Sequence, residues 1–232
     1  FKSDSQRLAF SLRSSIAKRC SHLNAALDLK SNRRNIVYIA PKFSDSDWKQ
    51  LELDNNEESW QTAIDVLEER LFTRYIVPAD VLIESESNIN AKDKRFGFTT
   101  LAIDFLLMET FQAFKDGEID SKGKSKALFK KYLETSPRFC EYFSSDKQRE
   151  DFYLHFRCGI LHQAEVQSSA LVWSVGDLYD RSNGKETVNR LFVHRALKCD
   201  ISEYLELLRN PESTDLRNAF RVKMDSIVFR GE

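Results

Sequence analysis

The sequence predicts a mainly α-helical protein: a helical bundle with an N-terminal helical extension and one small β-hairpin. Apolar residues recur at helical spacing along most of the chain, which is typical of amphipathic helices packed on a common core. Residues 170–195 instead change to an extended pattern around a strong turn signal. Internal repeats and low-complexity linkers are absent, and 41% hydrophobic residues are enough to bury a core.

Two parts are expected along the chain. Residues 1–58 form an N-terminal helix (4–30) followed by an extended segment, in which residues 35–40 resemble a short strand. Residues 59–232 form the helical domain, including the hairpin. Beyond the first helix, the apolar spacing predicts helices over 58–75, 96–115, 126–133, 151–170, 200–208 and 214–228. Ser144 or Ser145 is expected as the N-cap of the helix that includes 151–170, with Asp146 in its first turn. The helix over 96–115 is the most apolar and is expected at the centre, with Gly117 as its C-cap.

The hairpin prediction is based on a single turn. Asn183-Gly184 is the strongest hairpin signal in the chain. Apolar residues at 170–175 and 189–195 flank this turn and favour two strands. His194 is therefore expected on the second strand.

Charge and cysteine content limit the classes of function. The chain carries 35 basic and 36 acidic residues, for a net charge of −1, so it is not a general polyanion binder and any nucleic-acid site must be local. Four scattered cysteines form no close framework, and no secretory signal is visible, so a cytoplasmic location is expected. No apolar run reaches the length of a membrane span, so no membrane partner is expected.

Polar residues are concentrated in the apolar helix predicted over 151–170. His155 and His162 are seven residues apart and would lie on nearly the same face of an α-helix. Gly159 lies between them, although glycine inside a helix costs about 1 kcal/mol relative to alanine. Close approach of another backbone or of a ligand is the usual reason for such a glycine. Arg157 and Cys158 complete the polar cluster.

The run Arg157-Cys-Gly-Ile-Leu-His162 has the form R-x4-H. Together with the earlier apolar helix over 98–111, it resembles the HEPN-domain ribonucleases of bacterial defence and toxin systems. The resemblance covers roughly residues 60–211 and implies a HEPN-like helical bundle. Many active members carry Asn or another strongly polar residue where this chain has Cys158.

Histidine and arginine suit RNA cleavage without a metal, in which the 2′-OH attacks the neighbouring phosphate. That reaction needs a base, an acid and a cation for the developing charge. Histidine transfers protons near neutral pH, and the arginine fork matches phosphate oxygens. Arg157 and His162 are five residues apart, about 140° around an α-helix, so they are not expected to meet on one helix. Two helices facing each other across a two-fold axis would bring two such pairs into one cleft.

The resemblance implies the same composite site in a homodimer, with RNA as substrate. Its catalytic residues would be Arg157 and His162, and no cofactor or metal is implied. The supporting residues would be His155, Cys158, Gln163, Asp104 and Glu109. Of these, the two acids would orient Arg157. A further partner protein, from a defence or toxin–antitoxin system, is also implied.

Two other interpretations of these residues remain open. His162 could be a core histidine bonded to a backbone carbonyl, with Arg157 paired to Glu165 or Asp151. A zinc site would use His155, Cys158 and His162. However, the two histidines would lie about 10 Å apart along an α-helix, too far to share one ion.

Three functions follow from these alternatives. The first is a metal-independent RNA endonuclease of the HEPN type, in a toxin or anti-phage role. The second is a catalytically inactive HEPN-like module that binds RNA, a nucleotide or a protein. The third is a helical scaffold or antitoxin-like interaction protein. Cleavage of RNA in the presence of a chelator separates the first from the others, and RNA binding without cleavage separates the second from the third.

Overall fold

The computed structural model describes residues 36–167 and 170–229. All of the described residues except Ile36 belong to one compact unit, which begins at Val37. Most of the described residues are helical, which confirms the mainly α-helical class. The helix predicted over 4–30 lies outside the described residues, so the N-terminal extension and the domain boundary at residue 58 stay predictions.

The described part of the chain contains eight α-helices and five short strands. The helices are α1 (Asp45–Trp48), α2 (Glu57–Leu71), α3 (Val77–Ser85), α4 (Gly97–Asp116), α5 (Ser125–Thr135), α6 (Asp146–Phe152), α7 (Arg190–Arg209) and α8 (Thr214–Val228). The strands are β1 (Tyr38–Ala40), β2 (Phe43–Ser44), β3 (Ala170–Trp173), β4 (Tyr179–Asp180) and β5 (Glu186–Asn189). Two π-helical stretches occur, one turn over Phe72–Ile76 and a longer segment over Tyr153–Gln163. None of the described helices is both long and apolar enough to cross a membrane.

Helix α4 is the central element, as its apolar sequence predicted. It packs against α5, α7, α8 and the π-helical segment, and Phe105, Leu107 and Met108 are fully buried on it. The helix ends at the predicted C-cap, where Gly117 adopts a left-handed φ of 65°. A side chain at this position would also meet Ala219 of α8, whose Cα lies 3.0 Å from the place of a Cβ. Glycine therefore both terminates α4 and lets α8 pack against its end.

Aromatic rings anchor the helix that carries the R-x4-H run. The ring of Phe152 at the end of α6 contacts those of Phe105, Phe143, Phe156 and Tyr179, with centroids 4.8 to 5.7 Å apart. All five rings are buried. Each such pair contributes about 0.5–1.5 kcal/mol beyond the area it buries. The residues that follow Phe152 are therefore held in place against α4.

The predicted hairpin is present but shorter than expected. The turn containing Gly184 (φ 70°) joins β4 to β5, and these two strands are antiparallel. Residues 170–173 instead form β3, which runs parallel to β5, so the strand order is β3-β5-β4.

The second strand ends earlier than the sequence predicted. Strand β5 stops at Asn189, whose side chain accepts hydrogen bonds from the backbone N–H groups of Leu191 and Phe192 and caps α7. His194 therefore lies on a helix and not on the hairpin strand. The helix predicted over 200–208 is the second half of α7.

The helix predicted over 151–170 differs most from expectation. Its start is as predicted: the helix begins at Asp146 with Ser145 as N-cap, and Ser145 and Gln148 form a reciprocal capping box. After Phe152 the α-helix gives way to the π-helical segment, which ends at Gln163. Ala164 follows in the left-handed conformation (φ 55°), and the chain then turns back. The candidate site residues therefore belong to a helix with a wider turn than the α-helix the sequence predicted.

Candidate active site on the π-helical segment

The π-helical segment brings Arg157 and His162 into contact within one chain. Hydrogen bonds in a π-helix run from residue i to residue i+5, so side chains five apart lie one above the other. Arg157 Nη1 lies 2.9 Å from His162 Nε2. The expectation that these residues do not meet on one helix was wrong because it assumed α-helical geometry.

The chemistry of the two groups gives the direction of this hydrogen bond. A guanidinium has donors only, so Arg157 donates and His162 Nε2 accepts. This direction corresponds to the imidazole tautomer with its proton on Nδ1. The His162 side chain is exposed at the end of the helix, so the ring is accessible to a substrate.

A carboxylate on α4 holds the other side of Arg157. Arg157 Nε lies 2.5 Å from Glu109 Oε1, and Nη2 lies 3.1 Å from Oε2, a bidentate arrangement. Both side chains are only 12% exposed. Burial alone would lower the pKa of Arg157, but the hydrogen bonds and charge of Glu109 outweigh it and raise the pKa. Glu109 is therefore the one of the two expected acids that contacts Arg157.

Two further residues complete the surroundings of Arg157 and were not anticipated from the sequence. The hydroxyl of Ser125, at the start of α5, accepts from Arg157 Nη2 at 2.9 Å and donates to Glu109. The ring of Tyr153 lies under the guanidinium, with Cζ 5.3 Å from the ring centroid. An aromatic four residues before the arginine was a weak signal for this stacking. Nothing local in the sequence pointed to Ser125, which is 32 residues away.

Asp104 does not orient Arg157. It lies five residues before Glu109 on an α-helix, about 140° around the axis, and so faces elsewhere. Asp104 is buried and accepts from His194 Nδ1 at 2.8 Å, while His194 Nε2 lies 3.2 Å from Asp80 Oδ1. Burial raises the pKa of Asp104. Burial also acts to lower the pKa of His194, but the two carboxylates outweigh it and raise the pKa. This network joins α3, α4 and α7, with Asp104 and His194 buried and Asp80 partly exposed.

The remaining supporting residues are divided between different surroundings. His155 Nδ1 lies 2.6 Å from Glu186 Oε2 on β5, so this ring faces the sheet and does not accompany His162. Cys158 is a free thiol, partly buried against the core. Gln163 is exposed at the last position of the π-helical segment. The shared face predicted for the two histidines was wrong, again because the helix is not α-helical here.

Gly159 accommodates the chain's own backbone. A Cβ at this position would lie 2.4 Å from the carbonyl oxygen of Glu165 and 3.3 Å from the Cα of Val166. The same turn is held by the N–H of Gln167, which donates to the carbonyl of His155 at 3.0 Å. Close approach of a backbone was expected at Gly159, but the space is filled by residues 165–167 and is not open to a second helix.

Replacing Gly159 with alanine is therefore expected to lower the free energy of unfolding by about 1–3 kcal/mol, as overpacking does. In an unobstructed helix the same change would stabilise the protein by up to about 1 kcal/mol, so the sign of the effect is informative. Chemical denaturation at two protein concentrations measures it. The loss should not depend on concentration, because the contact is within one chain. A neutral or stabilising change would contradict the contact with residue 165.

No cluster suited to a metal occurs near this site. Within residues 36–167 and 170–229, no group of three or more His, Cys, Asp or Glu side chains is arranged to hold a metal ion. The zinc triad considered from the sequence is divided, since His155 contacts Glu186 and His162 contacts Arg157.

Comparisons with known proteins add no relative. No protein-family model, curated protein or solved structure matches this chain. The case for any function therefore depends on the chemistry of the site.

Proposed function

We propose that this protein is a metal-independent RNA endonuclease of the HEPN type, acting in a toxin or anti-phage role. The observation that carries the proposal is the hydrogen bond between Arg157 and His162 at the end of the π-helical segment. It places a permanent cation and a group that transfers protons near neutral pH within 3 Å of each other. Cleavage by attack of a 2′-OH requires a base, an acid and a cation, and this contact supplies the cation and one proton-transfer group.

Each residue is suited to one part of the reaction. Glu109 and Ser125 hold Nε and Nη2 of Arg157, which leaves Nη1 directed at the exposed side of the site. A phosphate oxygen bound there would accept the hydrogen bond that Arg157 Nη1 now donates to His162. The imidazole would then be released to accept the proton of the 2′-OH or to protonate the leaving 5′-oxygen.

A second copy of the chain would complete the site. The reaction needs a base and an acid at once. Among the residues that the structure describes, each chain supplies one histidine at this site, because His155 faces β5 and His194 is buried against Asp104. Two chains related by a two-fold axis would supply one histidine for each proton transfer. The dimer is thus proposed from the number of proton-transfer groups, since the geometry of Arg157 and His162 no longer requires it.

The proposal is tested by an RNase assay in EDTA on the wild type and on His162→Ala. We expect the wild type to cleave RNA at the same rate with and without the chelator, and His162→Ala to be inactive. Activity lost in EDTA and restored by a divalent ion would replace this mechanism with a metal-dependent one.

The composite site predicts that an inactive subunit interferes with an active one. Wild type mixed with a fivefold excess of His162→Ala should lose more activity than dilution of the wild type alone, provided that the subunits exchange. An equal excess of a His155→Gln protein, whose change lies on the sheet side, is the control. Activity equal to simple dilution, or an active protein that sediments as a monomer at assay concentration, would exclude the shared site.

A catalytically inactive module is the second candidate, and one observation favours it. All three guanidinium nitrogens of Arg157 already have partners in Glu109, Ser125 and His162, as in a structural ion pair. An inactive module would bind RNA, a nucleotide or a partner protein without cleaving RNA. Binding of RNA by the wild type with no cleavage over long incubation would favour this candidate. Both candidate functions are compatible with a partner protein from a defence or toxin–antitoxin system.

A further inference from the structure

The loop and helix that supply Ser125 form the most basic stretch near the candidate site. Residues 122–131 contain five lysines and no acidic residue, although the whole chain has a net charge of −1. The lysines are Lys122, Lys124, Lys126, Lys130 and Lys131. Local positive charge of this kind is what a chain of this composition needs to bind a polyanion.

Three of these lysines line one groove beside α5. Lys126, Lys130 and Lys131 form its wall together with Gly123, Glu134 and Asp146. Lys126 and Lys130 are separated by about 6 Å along the helix axis. Two of its lining residues, Gly123 and Lys126, flank Ser125 in the chain, and Ser125 contacts Arg157. We call this surface the lysine groove.

Each lysine in the groove is paired with a carboxylate from a neighbouring segment. The Nζ atom of Lys126 lies 2.5 Å from Glu150 Oε1. The Nζ atom of Lys130 lies 2.7 Å from Asp146 Oδ1, and that of Lys131 lies 2.8 Å from Asp116 Oδ1. At least one side chain of each pair is about half exposed or more. Exposed pairs of this kind contribute little to stability, so an incoming phosphate can replace the carboxylate.

We infer that the lysine groove binds the phosphate backbone of single-stranded RNA and leads it to Arg157 and His162. This inference rests on the proposed function and names the path of its substrate. Lysine suits the role because its ammonium is a flexible point charge that binds phosphate without reading sequence. The partner carboxylates keep the groove nearly neutral without RNA. Binding of phosphates by the lysines releases counterions from the RNA, so RNA binding is expected to be sensitive to salt.

The test measures binding of a fluorescent, unstructured RNA 20-mer to His162→Ala protein over a range of salt concentrations. A triple variant, Lys126→Gln, Lys130→Gln and Lys131→Gln, is compared with a control triple of Lys42→Gln, Lys92→Gln and Lys185→Gln. The control removes the same charge from lysines that are exposed and distant in sequence from the lysine groove. Each lost phosphate contact should reduce the slope of log K against log salt by about 0.7. We therefore expect a decrease of about two for the groove triple and none for the control.

A second pair of variants gives an effect of opposite sign. Glu150→Gln with Asp146→Asn removes two carboxylates that compete with phosphate, so RNA should bind several-fold more tightly. A structural role for these ion pairs would not produce tighter binding.

A double variant, Lys126→Gln with Lys131→Gln, controls for lost stability in the groove triple. Lys130 is the least exposed of the three lysines, so its replacement is the one most able to destabilise the fold. Melting curves are compared for all of these variants. Equal effects of groove and control triples would overturn the inference.

The outcomes for the groove and for the nuclease are distinguishable. Chelator-resistant cleavage by the wild type with kcat/KM unchanged in the groove triple would overturn the groove and keep the nuclease. No cleavage, with RNA binding weakened in the groove triple, would support the groove and overturn the nuclease. Cleavage with kcat/KM reduced at least tenfold in the groove triple, and unchanged in the control, would support both.

Discussion

His162→Ala is expected to reduce RNA cleavage at least about a hundredfold, the typical contribution of one acid–base group. The imidazole is exposed and contacts Arg157 through Nε2, so its removal should change stability by no more than about 0.5 kcal/mol. Arg157→Lys should reduce cleavage to a similar extent. A lysine keeps a charge beside Glu109 but lacks the fork that reaches both Glu109 and a phosphate. Initial rates on one RNA substrate, with melting curves for each variant, measure these effects.

Lysine is preferred to alanine at position 157 because of Glu109. Arg157→Ala would leave a carboxylate that is 12% exposed without its cation, and lost stability would then be confused with lost catalysis. The matched control is His155→Gln, which keeps a donor for Glu186 on the sheet side. It should retain cleavage within a few-fold of wild type. Full activity of folded His162→Ala, or equal losses in His155→Gln and His162→Ala, would remove the catalytic assignment.

The substrate is expected to be cleaved only where a 2′-OH precedes the broken bond. A single 2′-deoxy nucleotide at the cleaved position should abolish cleavage there, because the nucleophile is absent. The 5′ fragment from unmodified RNA should end in a 2′,3′-cyclic phosphate, and DNA of the same sequence should resist. Mass spectrometry of the fragments and gel analysis of the modified substrate measure both results.

The same oligonucleotide with its 2′-deoxy nucleotide moved away from the cleaved position is the control, and it should be cut normally. Cleavage of the substrate modified at the cleaved position would show that an activated water is the nucleophile. A metal mechanism would then have to be considered, since metal ions generate such a nucleophile at neutral pH.

Elements with local signals could be predicted from the sequence alone. The apolar stretch over 96–115 predicted the buried helix α4, and Gly117 predicted its end, because few other residues adopt a left-handed φ readily. The last helix follows the predicted bounds of 214–228. The predicted turn at Asn183-Gly184 is present, and Gly184 takes the left-handed φ (70°) that glycine adopts readily. In each case, short-range sterics and hydrophobic spacing are sufficient.

The arrangement of the candidate site could not be predicted from the sequence, because it depends on tertiary packing. Apolar residues at 152, 156 and 160 fit either helix type, so the sequence could not reveal the π-helical segment. That segment depends on packing of Phe152 among distant rings and on the return of residues 165–167 over Gly159. The choice of Glu109 over Asp104 as the partner of Arg157 likewise depends on which face of α4 meets the segment. Sequence spacing locates residues within one element, whereas contacts between elements depend on how their buried faces pack, and that is a property of the whole fold.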